Sequence, residues 1–561
     1  MMISDSNFFV KELVNILEAH DVRNAVISPG SRNAPLIRAI LSSDLISSKI
    51  VIDERSAAFI ALGIAVTSGS PVALICTSGS AMLNYAPAIA EAYYRKAPLI
   101  VITADRPLEW IDQDDSQTIR QPYGLDNYVW RSYNIPWVNT DSYRWYANRI
   151  FNEALLFSVK ESLPVHINLQ INNPAEPPAN ISMNDTRVIE MINPAPRLTV
   201  TEMRELGKSI ASPKKIMIIC GFMPPDKTLN KALIKLAALP NVIVLTETIS
   251  NLHSADFINS IDVTINSLPS DYKAYLPDIV ITLGGAIVSR HIKTLLRKNP
   301  PYEHWHVGLV DHLIDCFTSV TRQIAITPNV FFPALASALQ PHRKECEYAR
   351  IWSILKNKAK STLQSYVDRS PWSDLKCFAT LLPLIPRRWN VQYSNGTPIR
   401  YAQMFGDKQY HRCDCNRGVS GIDGSTSTAI GASLAYKNDI TLLISGDMSF
   451  QYDISALTSD CITPRLKIIV IDNGGGAIFH FIDSTKNIAM KDRVFETPMR
   501  LPLQRLAQAF DFAYFEANDS NALRYEFEKF ANESAKPAIL KIVTSGKLSA
   551  ELLHEFYNKK N

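Results

Sequence analysis

Ile444-Ser445-Gly446-Asp447-Met448-Ser449 is followed, 26 residues after Asp447, by Asn473 in the run Asp472-Asn473-Gly474-Gly475-Gly476. Residues 442–445 form an apolar run ending in Gly-Asp, which reads as a buried strand whose carboxyl end presents one carboxylate. Residues 467–471 read as a second strand, β-branched, ending in Asn and three glycines. Parallel α/β sheets bind ligands outside the carboxyl ends of their strands. Asp447 and Asn473 are therefore expected there together, with a short helix over 454–459 between the strands. One carboxylate, one amide oxygen and a freed backbone carbonyl suit Mg2+, which takes few protein ligands and completes its octahedron with water and phosphate oxygens; Mn2+ is the alternative. The glycines let backbone N–H groups approach an anion closely. A strand-end Asp capping a helix beside a Gly-rich turn accounts for the same residues with no ligand at all.

The rest of the chain is read against that pair. At about 100–200 residues per domain, its 561 residues predict three or four domains with ample core. With 46% hydrophobic and 20% charged residues the composition is that of a globular protein. A net charge of +4 without a dense Lys/Arg run gives no case for nucleic acid. The cysteines are scattered, and the one close pair, Cys413 and Cys415, has no Cys-x2-Cys partner. Free thiols in a reducing compartment follow, rather than zinc. The amino terminus lacks the basic and apolar regions of a signal peptide, and no apolar run reaches the ~18 residues of a membrane span. A soluble cytoplasmic protein is expected.

Helix and strand alternate along the chain, so the fold class is α/β with doubly wound parallel sheets. Residues 8–19 have helical spacing. Strands are expected at 24–28, 49–52, 72–77, 99–103 and 164–169, with helices over 56–68 and 83–95. Residues 172–196, rich in Pro and Asn, read as a linker. A second α/β unit has strands at 215–220, 242–245, 279–283 and 305–308. It carries no Gly-x-Gly-x-x-Gly and no Walker loop, so it reads as mainly scaffold. Residues 346–367 read as a charged connecting helix. The last unit holds strands at 390–394 and 538–543 and the opening pair. The expected domains are 1–185, 186–345 and 346–561, the first and third being two copies of one architecture.

The Gly-Asp and Asn spacing resembles the diphosphate–metal motif of thiamine-diphosphate (ThDP) enzymes, whose three-part layout of pyrimidine-binding, middle and diphosphate-binding domains the chain also resembles. A second hallmark of that superfamily, a glutamate ending a strand of the first domain, is matched by Glu54 in Ile52-Asp53-Glu54-Arg55-Ser56. The resemblance implies that Glu54 hydrogen-bonds the cofactor's aminopyrimidine, favouring the imino tautomer that takes the C2 proton. Without the resemblance, Glu54 is a first-turn carboxylate favoured by the helix dipole. The metal would rest on Asp447, Asn473 and Gly475. Gly446, Met448, Ser449 and Gly476 would surround the diphosphate, with Ile422 and Ile478 against the cofactor rings.

Within the superfamily, four further stretches look like those of the synthases of menaquinone biosynthesis. They are Ser28-Pro29-Gly30-Ser31-Arg32, Thr103-Ala104-Asp105-Arg106-Pro107, Gln117-Thr118-Ile119-Arg120-Gln121-Pro122 and Asn416-Arg417-Gly418-Val419-Ser420-Gly421-Ile422-Asp423-Gly424. The resemblance implies decarboxylation of 2-oxoglutarate and 1,4-addition of the succinyl carbanion to isochorismate. It also implies a homodimer or dimer of dimers with sites between the first domain of one chain and the third of another. Both substrates are dicarboxylates, which a planar guanidinium pairs through two hydrogen bonds. Arg32, Arg106, Arg400 and Arg417 all fall in predicted strand-end loops. By resemblance Glu54, Arg32, Gln117, Arg400 and Arg417 are the catalytic set. Ser31, Arg106 and Arg290 join the arginines at the substrates, with Ile478 and Phe479 as an apolar wall. Read singly, each arginine is a surface residue and Ile422 an ordinary core isoleucine.

Four positions depart from the family pattern. Met448 stands where Gly is usual, and Asp472-Asn473 where Asn-Asn is common. His291 replaces an Arg, and Gly396 lies where Ser is common. The rivals are a ThDP enzyme for another 2-oxo acid, such as a relative of acetolactate synthase, and a non-catalytic binding protein on a decayed ThDP scaffold. Fewer cations would suit pyruvate, and the intact Glu54, Asp447 and Asn473 speak against decay.

Overall fold

The computed structural model describes residues 8–558 except 139, 176–180, 195, 211–213, 311, 339–345, 407–408, 481–487, 489–490 and 498–500. It contains three parallel sheets. The first comprises β1 (Asn24–Ile27), β2 (Ser47–Ile50), β3 (Val72–Cys76), β4 (Leu99–Asp105), β5 (Ser132–Ile135) and β6 (Val165–Gln170), in the order β2-β1-β3-β4-β6-β5. The second comprises β7 (Ile216–Cys220), β8 (Val242–Thr246), β9 (Ile279–Leu283), β10 (Glu303–Val307) and β11 (Arg322–Ile324), in the order β11-β10-β9-β7-β8. The third comprises β12 (Asn390–Tyr393), β13 (Arg412–Cys415), β14 (Thr441–Gly446), β15 (Leu466–Asp472), β16 (Ala513–Ala517) and β17 (Ala538–Val543), in the order β13-β12-β14-β15-β17-β16. Strand for strand, the third sheet repeats the topology of the first. The central strands are largely apolar and buried up to the last residues of β14 and β15, as a parallel sheet covered on both faces requires.

The first and third sheets are joined through the helices that follow β2 and β13, Glu54–Ser68 and Ser425–Ala435. A Cβ on Gly63 would lie 2.1 Å from the Thr428 carbonyl oxygen, and one on Gly431 would lie 2.0 Å from that of Ile60. The contacts are reciprocal, so the backbones touch at one crossing that no larger residue permits. One apolar core runs through this crossing, from Phe59, Ile60 and Leu74 to Ile430, Leu443 and Ile468.

The middle sheet is fastened to the third. Asn251 donates from Nδ2 to the Cys413 carbonyl (2.9 Å) and accepts from the Cys413 N–H (2.7 Å), so its amide acts as a neighbour to edge strand β13. The helix Tyr348–Arg369 bridges both units: Trp352 donates to the Tyr275 carbonyl (3.1 Å) and Tyr366 to that of Leu552 (2.9 Å). The Pro/Asn-rich linker is strapped to the first unit where it is described. Thr186 bonds Glu12 at 3.2 Å, and the Ile189 N–H bonds Asn152 at 2.8 Å.

The sequence-predicted central strands and the helix Phe8–Ala19 are present, with small shifts at their ends. Three readings change. The helix expected over 83–95 is broken into Ala81–Asn84 and Ala86–Arg95, because Pro87 opens a new helix. The helix between β14 and β15 starts at Asp447 itself (Asp447–Tyr452), and Ile454–Thr458 is a 3-10 turn. β5, β11, β13 and β16 were not expected. All four are edge strands, which need less apolar sequence than central ones, and Arg412-Cys413-Asp414-Cys415 shows no strand pattern. Among the described residues no helix is long and apolar enough to cross a membrane.

The crossing makes a direct prediction. Gly63→Ala forces backbone atoms apart and should destabilise the protein by about 1–3 kcal/mol. Gly207→Ala, in the helix Val200–Ile210 with nothing within 4 Å, should stabilise it by about 0.5–1 kcal/mol. Thermal unfolding of both variants beside the parent should therefore show shifts of opposite sign.

Candidate active site

Asp447 and Asn473 meet as the sequence predicts. β14 and β15 pair in parallel with Gly446 opposite Ile471, so the two strands end side by side. Asp447 is 2% exposed and accepts hydrogen bonds from the Gly475 and Met448 N–H groups, both at 2.7 Å. Burial pushes its carboxyl up to about 7, against the pull of those two bonds. Asn473 donates from Nδ2 to Asp374 Oδ2 (2.8 Å), which fixes the amide orientation. Its Oδ1 is buried with no hydrogen-bond partner in the protein. Gly475 has φ of 112°, a conformation left to glycine. A buried carboxylate, an orphaned amide oxygen and a glycine turn form a donor set that fits a hard divalent cation. Sequence reasoning missed Asp374, the first residue of the helix Asp374–Leu384; it lies 99 positions from Asn473, with no local signal to connect them.

Two family departures are explained here. Met448 lies in the helix Asp447–Tyr452 and contributes its N–H, so no glycine is required. Gly396 has φ of 99° and ψ of −135° at the start of the helix Thr397–Phe405, a backbone that would strain a serine. Ser449 donates to the carbonyl of Ile422 at 2.7 Å and so ties the backbone of that exposed residue to the Asp447 helix. Gly476 donates to the Glu496 carbonyl (2.7 Å). Ile478 and Phe479 follow in the 3-10 turn Ala477–His480, with the Phe479 ring 5.1 Å from that of Phe495.

Glu54 is the first residue of its helix and half-buried. The flanking residues bind the end of the Asp447 helix and the turn just beyond it. Asp53 caps the Arg55 N–H (3.1 Å) and accepts from the hydroxyls of Ser56 and Ser455. Arg55 donates to the Tyr452 carbonyl (2.9 Å) and lies over its ring. Beneath Glu54, burial and then the Glu54 charge push the Cys76 thiol up.

The five candidate arginines form two groups. Arg32 donates from Nη1 to the carbonyls of Ile171 (2.9 Å) and Asn172 (3.0 Å). Burial lowers its pKa first, and Arg106 lowers it further. Arg106 pairs with Asp115 at 2.6 Å. Exposed Ser31 precedes Arg32, and Gln117, with φ of 55°, presses its backbone on Gly79. In the other group Arg400 lies not in a strand-end loop, as expected, but inside the helix Thr397–Phe405, which Pro398 helps to open; burial, then Arg290 and Arg417, lower it to about 10. Arg417 donates to Asn395 Oδ1 at 3.1 Å, while its Nε is buried without a partner. The charges acting most on Arg32 belong to the first unit, and those acting on Arg400 to the second and third. His291 lies with Nδ1 3.3 Å from Asp262 and its ring 5.0 Å from that of Tyr557. Burial pushes Asp262 up, but the bonds and charge of His291 and Ser289 outweigh it and hold the carboxyl low. His291 is thus turned toward Asp262 and the Tyr557 ring.

Residues 9–123 match the family described as thiamine pyrophosphate enzyme, N-terminal TPP binding domain. With the repeated sheet topology and the relatives that follow, this match makes the chain a ThDP-dependent enzyme. Over 558 residues it is 36% identical to the 2-succinyl-5-enolpyruvyl-6-hydroxy-3-cyclohexene-1-carboxylate (SEPHCHC) synthase of Porphyromonas gingivalis, covering 98% of this chain and 96% of the relative. The synthase of the same name from Flavobacterium psychrophilum is 38% identical over 552 residues, with 98% of each chain covered. That of Flavobacterium johnsoniae is 35% identical over 566 residues, with 100% of each covered. The chain belongs to the SEPHCHC synthase family.

Glu247, also missed in sequence, lies behind the second arginine group. Its carboxylate accepts the N–H groups of Val288 and Ser289, both at 2.8 Å, shaping the turn into Arg290. Burial pushes it up to about 7. The unfolded chain releases this proton near pH 4.5, while the folded protein keeps it to about 7. The residue's contribution to stability is thus full below pH 4.5 and is lost as pH rises through 7. The parent's melting temperature relative to Glu247→Gln should fall across that window, reflecting at most about 1.4 kcal/mol per pH unit; parallel curves for the two proteins would contradict this.

Proposed function

We propose that the protein decarboxylates 2-oxoglutarate and adds the succinyl fragment 1,4 to isochorismate, giving SEPHCHC and CO2 in menaquinone biosynthesis. The observation that carries this reading is the grouping of Arg32 with Arg106 in the first unit and of Arg400 with Arg290 and Arg417 across the second and third, the units that also hold Glu54 and the Asp447–Asn473 pair. The product named in the relatives contains a succinyl group joined to a ring carboxylate, and fixed guanidinium groups are what such substrates require.

When bound, ThDP supplies a C2 nucleophile and an electron sink for the leaving CO2. Asp447, Asn473 and Gly475 would hold Mg2+, with Mn2+ the alternative. Gly446, Met448, Ser449 and Gly476 would surround the diphosphate. Glu54 would hold the proton shared with the aminopyrimidine ring, and Ile422 and Ile478 would flank the cofactor. Arg32, Arg106, Gln117 and Ser31 from one half and Arg290, Arg400 and Arg417 from the other bind and orient the carboxylates. Phe479 excludes water, which strengthens those charge pairs.

The two halves are read as meeting between chains, in a homodimer or dimer of dimers. Support comes from the separate neighbourhoods of Arg32 and Arg400 and from exposed Ile52 (82%) and Leu83 (51%) beside the first half-site, apolar surface that a partner would cover. The assigned domains are 1–185 for the pyrimidine, 186–345 for the middle and 346–561 for the diphosphate. The enzyme works in the cytoplasm on small molecules, without nucleic acid.

Purified protein with ThDP and Mg2+ should consume isochorismate only when 2-oxoglutarate is added, and mass spectrometry should find the succinyl-ring adduct. CO2 release with isochorismate untouched would refute the acceptor. Glu54→Gln should lower kcat by about 100-fold or more, the usual scale of a lost acid–base group; a change within a few-fold would remove it from that role. Asp374→Asn frees the Asn473 amide to turn. Half-saturating Mg2+ in ThDP-binding titrations should rise about tenfold, as for other residues that orient metal ligands.

A further inference from the structure

The loop carrying both Arg417 and Ile422 is gripped by a residue of another unit that no role above uses. Glu91, on the helix Ala86–Arg95 of the first unit, is 0% exposed. Its two carboxyl oxygens accept the N–H groups of Gly418 (2.8 Å) and Val419 (2.7 Å). Gly418 is shaped by this grip, since a Cβ there would lie 2.7 Å from the Glu91 carbonyl oxygen and 3.0 Å from its carboxyl carbon. One turn on, Arg95 donates to the Cys415 carbonyl and pairs with Asp414. The third unit holds the opposite side: Asn395 donates to the carbonyls of Asn416 (2.6 Å) and Gly421 (2.7 Å) and accepts from Arg417 Nη1. The loop's N–H groups are thus read by the first unit and its carbonyls by the third. Burying a carboxylate against backbone N–H groups costs desolvation that an apolar residue would avoid, so packing alone does not account for Glu91.

We propose that Glu91 is a positioning residue: by fixing the Gly418–Val419 backbone it sets the direction of the Arg417 guanidinium, and through it the affinity for a dicarboxylate substrate. This rests on the reading above in which Arg417 pairs a substrate carboxylate. Glu91 touches no reacting atom; its effect passes through Arg417. The first unit thereby contributes to the diphosphate half-site of its own chain, besides what Glu54 contributes at the pyrimidine end.

Glu91→Gln keeps the side-chain volume but turns an NH2 group toward a backbone N–H. Two readouts test the proposal. Hydrogen exchange of the 416–421 amides should quicken at least tenfold in E91Q, while the melting temperature stays within a few degrees of the parent. At saturating ThDP, KM for 2-oxoglutarate should rise tenfold or more with kcat within about threefold, and E91Q should add nothing further to KM in an R417A background. Gly418→Ala, which pushes the loop off Glu91 from the other side, should reproduce the pattern if E91Q does not fold. Unchanged exchange, or effects of E91Q and R417A that multiply, would overturn the proposal. A parent protein that does not turn over 2-oxoglutarate would instead overturn the substrate reading, and exchange alone would then decide the grip.

Discussion

The contact on which the rest depends is the crossing of two helix backbones at Gly63 and Gly431. Helices that meet through side chains stand about 8–10 Å apart and can slide or repack. Here each glycine sits on a carbonyl of the opposite helix, one turn back from the other glycine, which leaves a single register. One helix begins at Glu54, and the other follows directly on the loop that carries Arg417 and Ile422. A slip at the crossing would therefore move Glu54, its Asp53 and Arg55 anchors and the Asp447 segment against one another. The close approach gains dispersion energy along both backbones and seals the core that the two sheets share.

The repeated topology lets different chemistry occupy equivalent places. The end of β1 leads to Ser31 and Arg32, and that of its counterpart β12 to Arg400. β2 leads to Glu54, and β13 to Arg417 and Ile422. β4 ends beside Arg106, and β15 beside Asn473. At the end of β3 the chain turns through Ser78-Gly79, whereas at the end of β14 it presents Asp447. The scaffold supplies a row of strand ends facing one way, and residue choice alone gives the third unit a buried carboxylate and an orphaned amide oxygen where the first has Ser78-Gly79 and Arg106.

Much of this was legible in sequence because it is local. Buried parallel strands announce themselves as apolar runs, and a Gly-Asp or Asp-Glu at their ends places a carboxylate without further information. What escaped was of two kinds. β13 is an edge strand whose polar residues are buried: Arg412 and Arg95 both pair with Asp414, a network formed only in the fold, so its own sequence carries no apolar run. Buried carboxylates such as Asp374, Glu91 and Glu247 act on backbone or amide groups 99, 327 and 41 positions away. Nothing in their own neighbourhoods separates them from surface acids. His291 was legible as a departure, but its engagement with Asp262 needed the fold.

The side chain of Asn251 has a consequence for how copies of this protein can meet. β13 is the last strand of its sheet, and an uncovered edge is a template for a strand from another molecule. Asn251, with φ of 55°, turns its amide to take both the N–H and the C=O of Cys413, the middle residues of that edge being Cys413 and Asp414. One amide thereby stands in for a seventh strand and ends the ladder. The sheet cannot grow sideways there into a neighbouring molecule, and a fibre built by adding strands is closed off at the edge beside the Arg417 loop.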